Sequence, residues 1–119
     1  MDIAIGSEVE LIKALEPIKG ITVSKAHSWT IPEGIDLHIT NENSTKEHAV
    51  IELCSLLGVD RSNVAGVGDG FNDLHLFQAV GHKVAMGNAV IELKEAADQV
   101  IGREDANGLG EFIEGAILK

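Results

Sequence analysis

Cysteine occurs once in this chain, tryptophan once, proline twice and tyrosine not at all. A lone Cys54 closes no internal disulfide and makes no metal site by itself, so it reads as a small core residue. No apolar run approaches the roughly 20 residues that span a bilayer, and no membrane span is expected. The first six residues show neither a basic leader nor a long apolar stretch, so a cytoplasmic location is expected by default. Basic residues are scarce too: 9 lysines and arginines stand against 19 aspartates and glutamates, for a formal charge of −10. Such a field repels phosphate backbones and attracts cations, so nucleic acid is not an expected partner. An acidic total also simply serves solubility, and charge becomes informative only where carboxylates cluster.

What is present is one domain's worth of chain, 119 residues of which 45% are hydrophobic, with no visible repeat or low-complexity tract. Two styles of patterning divide it. Up to about residue 40 the sequence predicts a short helix carrying Ile12 and Leu15 and ended by Pro17, then antiparallel strands beginning at Ile21-Thr22-Val23. In the stretch 35–40 a period of two puts Ile35, Leu37 and Ile39 on one face, and Asp36, His38 and Thr40 on the other. Trp29 alternates with His27 and Ile31 on an expected strand and reads as core rather than as a substrate platform.

From residue 44 helices alternate with short apolar strands, the pattern of a parallel sheet flanked by helices. Ser44 and Glu47 match a capping box, opening a helix whose core face is Ala49, Val50, Leu53, Cys54 and Leu57 and which stops at Gly58. Val64 to Gly68 reads as a buried strand, Leu74 to Val80 as a helix, Lys83 to Met86 as a second strand, and Asp98 to Ile101 as a third. Asn88 is the expected cap of the intervening helix, with Leu93, Ala96 and Ala97 inward. Leu109, Phe112, Ile113, Ala116 and Ile117 predict a closing helix.

Chemistry concentrates in Gly68-Asp69-Gly70-Phe71-Asn72-Asp73, between a predicted strand and a predicted helix. In open parallel sheets ligands bind beyond the C-terminal strand ends, which is where Asp69 is expected. Asp73 follows one turn later at a helix start, where unpaired amides tolerate negative charge. Two converging carboxylates need a compensating cation, and oxygen donors of this kind suit Mg²⁺. Gly68 and Gly70 let the backbone turn and approach a ligand, and Asn72 can cap the helix or hydrogen-bond Asp69 and an anion. Taken alone, the hexamer equally fits an ordinary Gly-Asp-Gly turn followed by capping residues.

The neighbouring segments add a resemblance. The hexamer, Ala79-Val80-Gly81, Val84-Ala85-Met86-Gly87-Asn88-Ala89, Leu93-Lys94-Glu95-Ala96-Ala97-Asp98 and Asn107-Gly108-Leu109-Gly110 together resemble the C-terminal part of haloacid dehalogenase (HAD) superfamily phosphatases of the Cof type, over residues 44–118. The resemblance implies an α/β, HAD-like (Rossmann-like) half-domain over residues 42–119, preceded over residues 1–41 by the end of an α+β cap. It makes Asp69 and Asp73 the carboxylates of a Mg²⁺ site and Lys46 the lysine that contacts the nucleophilic aspartate and the phosphoryl group. Asn72 and Asn88 fall near the phosphate. A lysine in a helix's first turn is disfavoured by about 0.3–1 kcal/mol, so local helix physics does not ask for Lys46. Glu47, Leu76 and His75 depart from the family's pattern, and His75 reads as a surface or lid-facing residue.

The largest departure is that no Asp-x-Asp occurs anywhere in the chain, although in the family that pair supplies the nucleophile and the general acid. The family's reaction forms and hydrolyses an aspartyl phosphate. The expectation is therefore a Mg²⁺-dependent hydrolase of small phosphorylated metabolites present as an incomplete chain, inactive alone. A missing N-terminal half or a homo-oligomer would cover the exposed sheet edge. The alternative is a non-catalytic acidic module that binds Mg²⁺, phosphate ligands or a protein. A receiver domain fits poorly, because its acidic residues spread over separate strands.

Overall fold

The computed structural model describes residues 2–4 and 6–118. Among these, the chain forms two three-stranded sheets, one antiparallel and one parallel. Among the described residues no helix is long and apolar enough to cross a membrane.

The antiparallel sheet has the order β1-β3-β2, with β1 at Asp2–Ala4, β2 at Ile21–His27 and β3 at Gly34–Asn41. Helix α1, Glu8–Leu15, is capped by Glu16 immediately before Pro17, which cannot continue it. On β3 the period of two holds for Ile35 and Leu37, which are buried, and fails for Ile39, which is 42% exposed. The cover gives out there: residues 38–41 are all exposed, so alternation continues without an inside to face.

Trp29 is neither on a strand nor in the core. Strand β2 ends at His27, and residues 28–33 close a turn in which the Ser28 amide donates to the Gly34 carbonyl at 2.9 Å. Within it, the Ser28 hydroxyl accepts from the Ile31 amide at 3.1 Å, and Glu33 adopts φ 56°. The turn carries the indole outward, leaving Trp29 97% exposed.

The parallel sheet has the order β4-β5-β6, from β4 at Ala65–Gly68, β5 at His82–Ala85 and β6 at Gln99–Val100. Helix α2, Lys46–Leu57, precedes it, and its cap is Thr45 rather than the expected Ser44. Thr45 has extended backbone angles, and its hydroxyl accepts from the His48 amide at 3.2 Å, shifting the helix start by one residue. Gly58 ends the helix at φ 67°, as a left-handed C-cap should. Helix α3 spans Asp73–Ala79 and α4 spans Ile91–Ala96.

Asn88 does not cap α4. Val90 occupies that position, because the Asn88 side chain is turned to accept from the Glu104 amide at 3.2 Å. The closing segment begins as α5, Gly108–Phe112, and widens into a π-helical turn over Ile113–Ile117, where the Leu118 amide reaches the Ile113 carbonyl at 2.9 Å.

The core of this half is Phe77, Ala85, Met86, Ala89 and Leu93, with Val67, Leu74, Val90, Ala97 and Ile101 packed around it. Helix α3 joins it to α2, yet the expected inner face of α2 is mostly open: Cys54 is buried and Val50 half-buried, while Ala49 is exposed, Leu53 is 55% exposed and Leu57 67% exposed. Helical spacing identifies an apolar side; a second layer must exist before that side is buried. Accordingly, Leu93→Ala should cost about 2–5 kcal/mol, as a truncation at a fully buried site. Leu57→Ala should change stability by no more than about 0.5 kcal/mol. Denaturant unfolding of both variants at low protein concentration checks the pair.

Candidate functional site

A short turn of residues 69–72 joins the C-terminal end of β4 to α3; Asp69 opens the turn and Asp73 opens the helix. Parallel pairing fixes the strand end, since Gly68 stands opposite Ala85 and the Met86 amide donates to the Gly68 carbonyl at 2.9 Å. The Asp69 carbonyl accepts from the Val90 amide at 3.0 Å, which ties the turn to the loop before α4.

Asp73 is buried, at 4% exposure, and its carboxylate organises the turn. One oxygen accepts from the Asp69 amide at 2.9 Å and the Gly70 amide at 3.1 Å. The other takes a hydrogen-bonded ion pair from the Lys46 ammonium, delivered from the first turn of α2. Burial by itself would raise the Asp73 carboxyl's pKa, but the Lys46 bond and the two amides outweigh it and hold the group below its ordinary value. Gly68 is required for this packing. A Cβ there would lie 2.5 Å from the Asp73 Cβ, so the glycine makes room for a carboxylate of the chain itself.

Asp69 differs in kind. It is exposed, and its carboxylate has no hydrogen bond or ion pair among the described residues. Lys46, Asp69 and Asp73 line one cavity of about 470 Å³, together with Glu104, Asn107 and Leu109. Lys46 uses one of its three N–H donors on Asp73, leaving two for an anion.

Asn72 and Asn88 lie in a neighbouring cleft that Asp69 also lines, and Asn72 shares a further crevice with Lys46. Asn72 stands at the N-cap of α3 without making a side-chain cap bond. His75 is half-buried and lines that crevice with Ser24, His38, Lys46 and Asn72. Glu104 on the cavity wall carried no sequence signal, whereas Asn107 was flagged by the Asn-Gly-Leu-Gly run.

Could the cluster hold a metal? Among the described residues no three His, Cys, Asp or Glu side chains gather as a complete site. Two carboxylates at a strand end are nonetheless the oxygen donor set of a hard cation such as Mg²⁺. That ion commonly takes one or two carboxylates and fills its octahedron with water and phosphate oxygens. The residues fit that partial kind of site.

An open parallel sheet with acidic groups and a lysine at one strand's C-terminal end is an α/β arrangement of the kind in which ligands bind beyond the strand ends. The family model of haloacid dehalogenase-like hydrolases matches residues 4–113, and the chain belongs to that family. It is 41% identical over 81 residues to phosphoglycolate phosphatase 1 of Saccharolobus solfataricus, covering 68% of this chain and 36% of that protein. It is 36% identical over 78 residues to a 5-amino-6-(5-phospho-D-ribitylamino)uracil phosphatase of Bacillus subtilis, covering 66% of this chain and 27% of that one. Among solved structures, a HAD subclass IIB sugar phosphatase superposes with a TM-score of 0.74 at 26% identity, over 90% of this chain and 39% of that one. The chain therefore spans well under half the length of each of these relatives.

Because Asp73 has a lowered pKa in the fold, it contributes stability that is complete above the unfolded carboxyl's value, about 4, and is lost as pH falls through the lower folded value. Asp73→Asn should abolish that component of acid destabilisation, which thermal unfolding between pH 2 and pH 7, on the order of one unit per step, will show. At neutral pH, Lys46→Met leaves a buried charged acceptor short of one partner and should cost about 1–3 kcal/mol in the same measurement.

Proposed function

We propose that this chain is the metal- and lysine-bearing side of a Mg²⁺-dependent phosphate monoester hydrolase acting on a small phosphorylated metabolite. The observation that carries the reading is the cluster at the end of β4: a free carboxylate on Asp69, a buried one on Asp73, and Lys46 with donors to spare. Asp69 and Asp73 would hold Mg²⁺, which supplies positive charge against the phosphoryl oxygens. Lys46 stabilises charge spread over the same oxygens, in the manner that phosphoryl transfer requires. Asp73 orients Lys46 and, through the Asp69 and Gly70 amides, fixes the backbone from which the Asp69 carboxylate projects. The related proteins act on phosphoglycolate, on a phosphoribityl aminouracil and on sugar phosphates by their names, and substrates of that size suit this site.

In this reading residues 1–41 are the end of a cap and residues 42–119 the C-terminal half of a catalytic core at work in the cytoplasm. No Asp-x-Asp occurs in the 119 residues, so the nucleophile comes from other polypeptide. Strand β4 pairs on one side only among the described residues, which offers the place for a further strand, from an N-terminal half or a second copy. The absence of a nucleophile also favours a second reading, a non-catalytic module binding Mg²⁺ and phosphate or a protein partner.

Mg²⁺ should raise the melting temperature of the chain, with about 2.7 kcal/mol of added stability at a hundredfold excess over Kd, and the effect should vanish in Asp69→Ala. An aryl phosphate should not be hydrolysed by the chain alone, and should be once a polypeptide carrying the Asp-x-Asp strand is added. Turnover by the chain alone that survives Asp69→Ala would overturn the assignment. Neither Mg²⁺ response nor turnover with the added strand would leave the protein-binding module as the better reading.

A further inference from the structure

The Lys46 cavity holds a third carboxylate. Glu104 lines it beside Asp69 and Asp73, and Lys46, already bonded to Asp73, is the one cationic side chain on its walls. Among the described residues no three such acidic groups come close enough to hold one ion together, so Glu104 stands in the cavity but outside a direct ligand set. Its oxygens are also unused: the Glu104 residue is exposed, and its carboxylate makes no hydrogen bond or ion pair among the described residues. A carboxylate so placed repels a phosphate that arrives without a cation. It suits a cavity in which the water on a bound cation fills the space between.

The backbone fixes where this carboxylate stands. Glu104 opens a 3₁₀ turn, Glu104–Ala106, in the loop between β6 and α5. The Asn88 side chain accepts from the Glu104 amide at 3.2 Å, a bond across 16 residues of chain. Gly87 permits the approach. A Cβ on it would lie 3.0 Å from both the Arg103 amide nitrogen and the Ile101 carbonyl oxygen, and its own amide donates to the Gly102 carbonyl at 3.3 Å. On the far side the Gly108 amide donates to the Arg103 carbonyl at 3.0 Å, and a Cβ on Gly108 would lie 2.0 Å from the Gly102 carbonyl oxygen. The loop is held at both ends while the Glu104 side chain is left free. Asn88, turned away from α4 onto the backbone of a cavity carboxylate, is the contact that joins the two.

Resting on the Mg²⁺-dependent phosphatase reading above, we propose that Glu104 is a positioning residue of the metal site, accepting hydrogen bonds from the water that Asp69 and Asp73 leave on the ion, and that Asn88 acts by holding Glu104 in place. Mg²⁺ gives up water reluctantly and keeps several molecules when one or two carboxylates bind it. A carboxylate that accepts from such water makes a charge-assisted hydrogen bond, and outer contacts of this kind govern how tightly a metal is held. The same charge gives Glu104 a second effect of opposite sign. With no cation present it opposes an anion at Lys46, so Glu104 makes phosphate binding depend on the metal.

Calorimetric titration of the 119-residue chain with Mg²⁺, and separately with inorganic phosphate in metal-free buffer, tests both effects at fixed ionic strength. Glu104→Gln should weaken Mg²⁺ binding about tenfold, the low end for an outer contact because the site is open to solvent. It should also strengthen phosphate binding in the metal-free buffer and leave the metal-free melting temperature unchanged, which a merely structural residue would not do. Glu111→Gln makes the same change at an exposed position of α5 outside this cavity, and should alter neither titration. Asn88→Ala should lower Mg²⁺ affinity in the otherwise unchanged chain and have no further effect beside Glu104→Gln, since both then remove one contact. Equal losses from Glu104→Gln and Glu111→Gln would reduce the effect to overall charge and overturn the proposal. So would Mg²⁺ binding that Glu104→Gln leaves intact, with the phosphatase reading still standing. Absence of Mg²⁺ binding by the unaltered chain would overturn the metal assignment of Asp69 and Asp73 as well.

Discussion

A carboxylate taken out of water has to be met by donors, and the arrangement around Asp73 depends on that requirement. Lys46, the Asp69 amide and the Gly70 amide meet it together. Each of these bonds fixes something else. The amides shape the turn that projects Asp69, the ammonium ties the start of α2 to the end of β4, and the space the carboxylate occupies excludes any side chain at Gly68. Removal of the charge would weaken the first two, whose bonds end on it, while the restriction at Gly68 is set by the Asp73 Cβ and would stay.

That node also separates the roles of two aspartates that look equivalent in sequence. Asp73 is buried and bonded to Lys46 and two amides, whereas Asp69 is exposed and makes no such bond among the described residues. Under the proposed function, a metal ion would meet a free carboxylate on a backbone already hydrogen-bonded to Asp73, which lowers the ordering cost of binding. Rigid support beneath a free ligand is the arrangement expected where a cation and a phosphate must be placed against each other.

The surface away from the node tells of incomplete covering. Leu53, Leu56 and Leu57 are exposed along α2, and β4 is paired on one side. These two features belong to the same half of the fold that ends in the Asp69 turn, and the chain covers 36% of the phosphoglycolate phosphatase it resembles. A further strand beside β4 would bring its own C-terminal end to the Lys46 cavity, since ends of neighbouring parallel strands lie together.

The order of helices and strands was legible in the sequence because each is written locally: short apolar stretches at 64–68 and 84–86 for β4 and β5, a glycine that ends α2, a proline that ends α1. The same is true of the hexamer's place at a strand end, and of the family, which rests on a run of short motifs with fixed spacing. Burial was legible only in part. Leu37 and Leu93 were placed inside correctly, while Ile39, Leu53, Leu57 and Trp29 follow the same patterns and are exposed, since periodicity marks an apolar side without supplying a layer to cover it. Convergence was decided by tertiary structure alone. Lys46 meets Asp73 across 27 residues, Asn88 turns away from its helix to reach Glu104, and Trp29 arrives beside Asp69 from the other sheet. Local propensity acts through neighbours in the chain, whereas a site is made by groups that only packing brings within hydrogen-bonding reach.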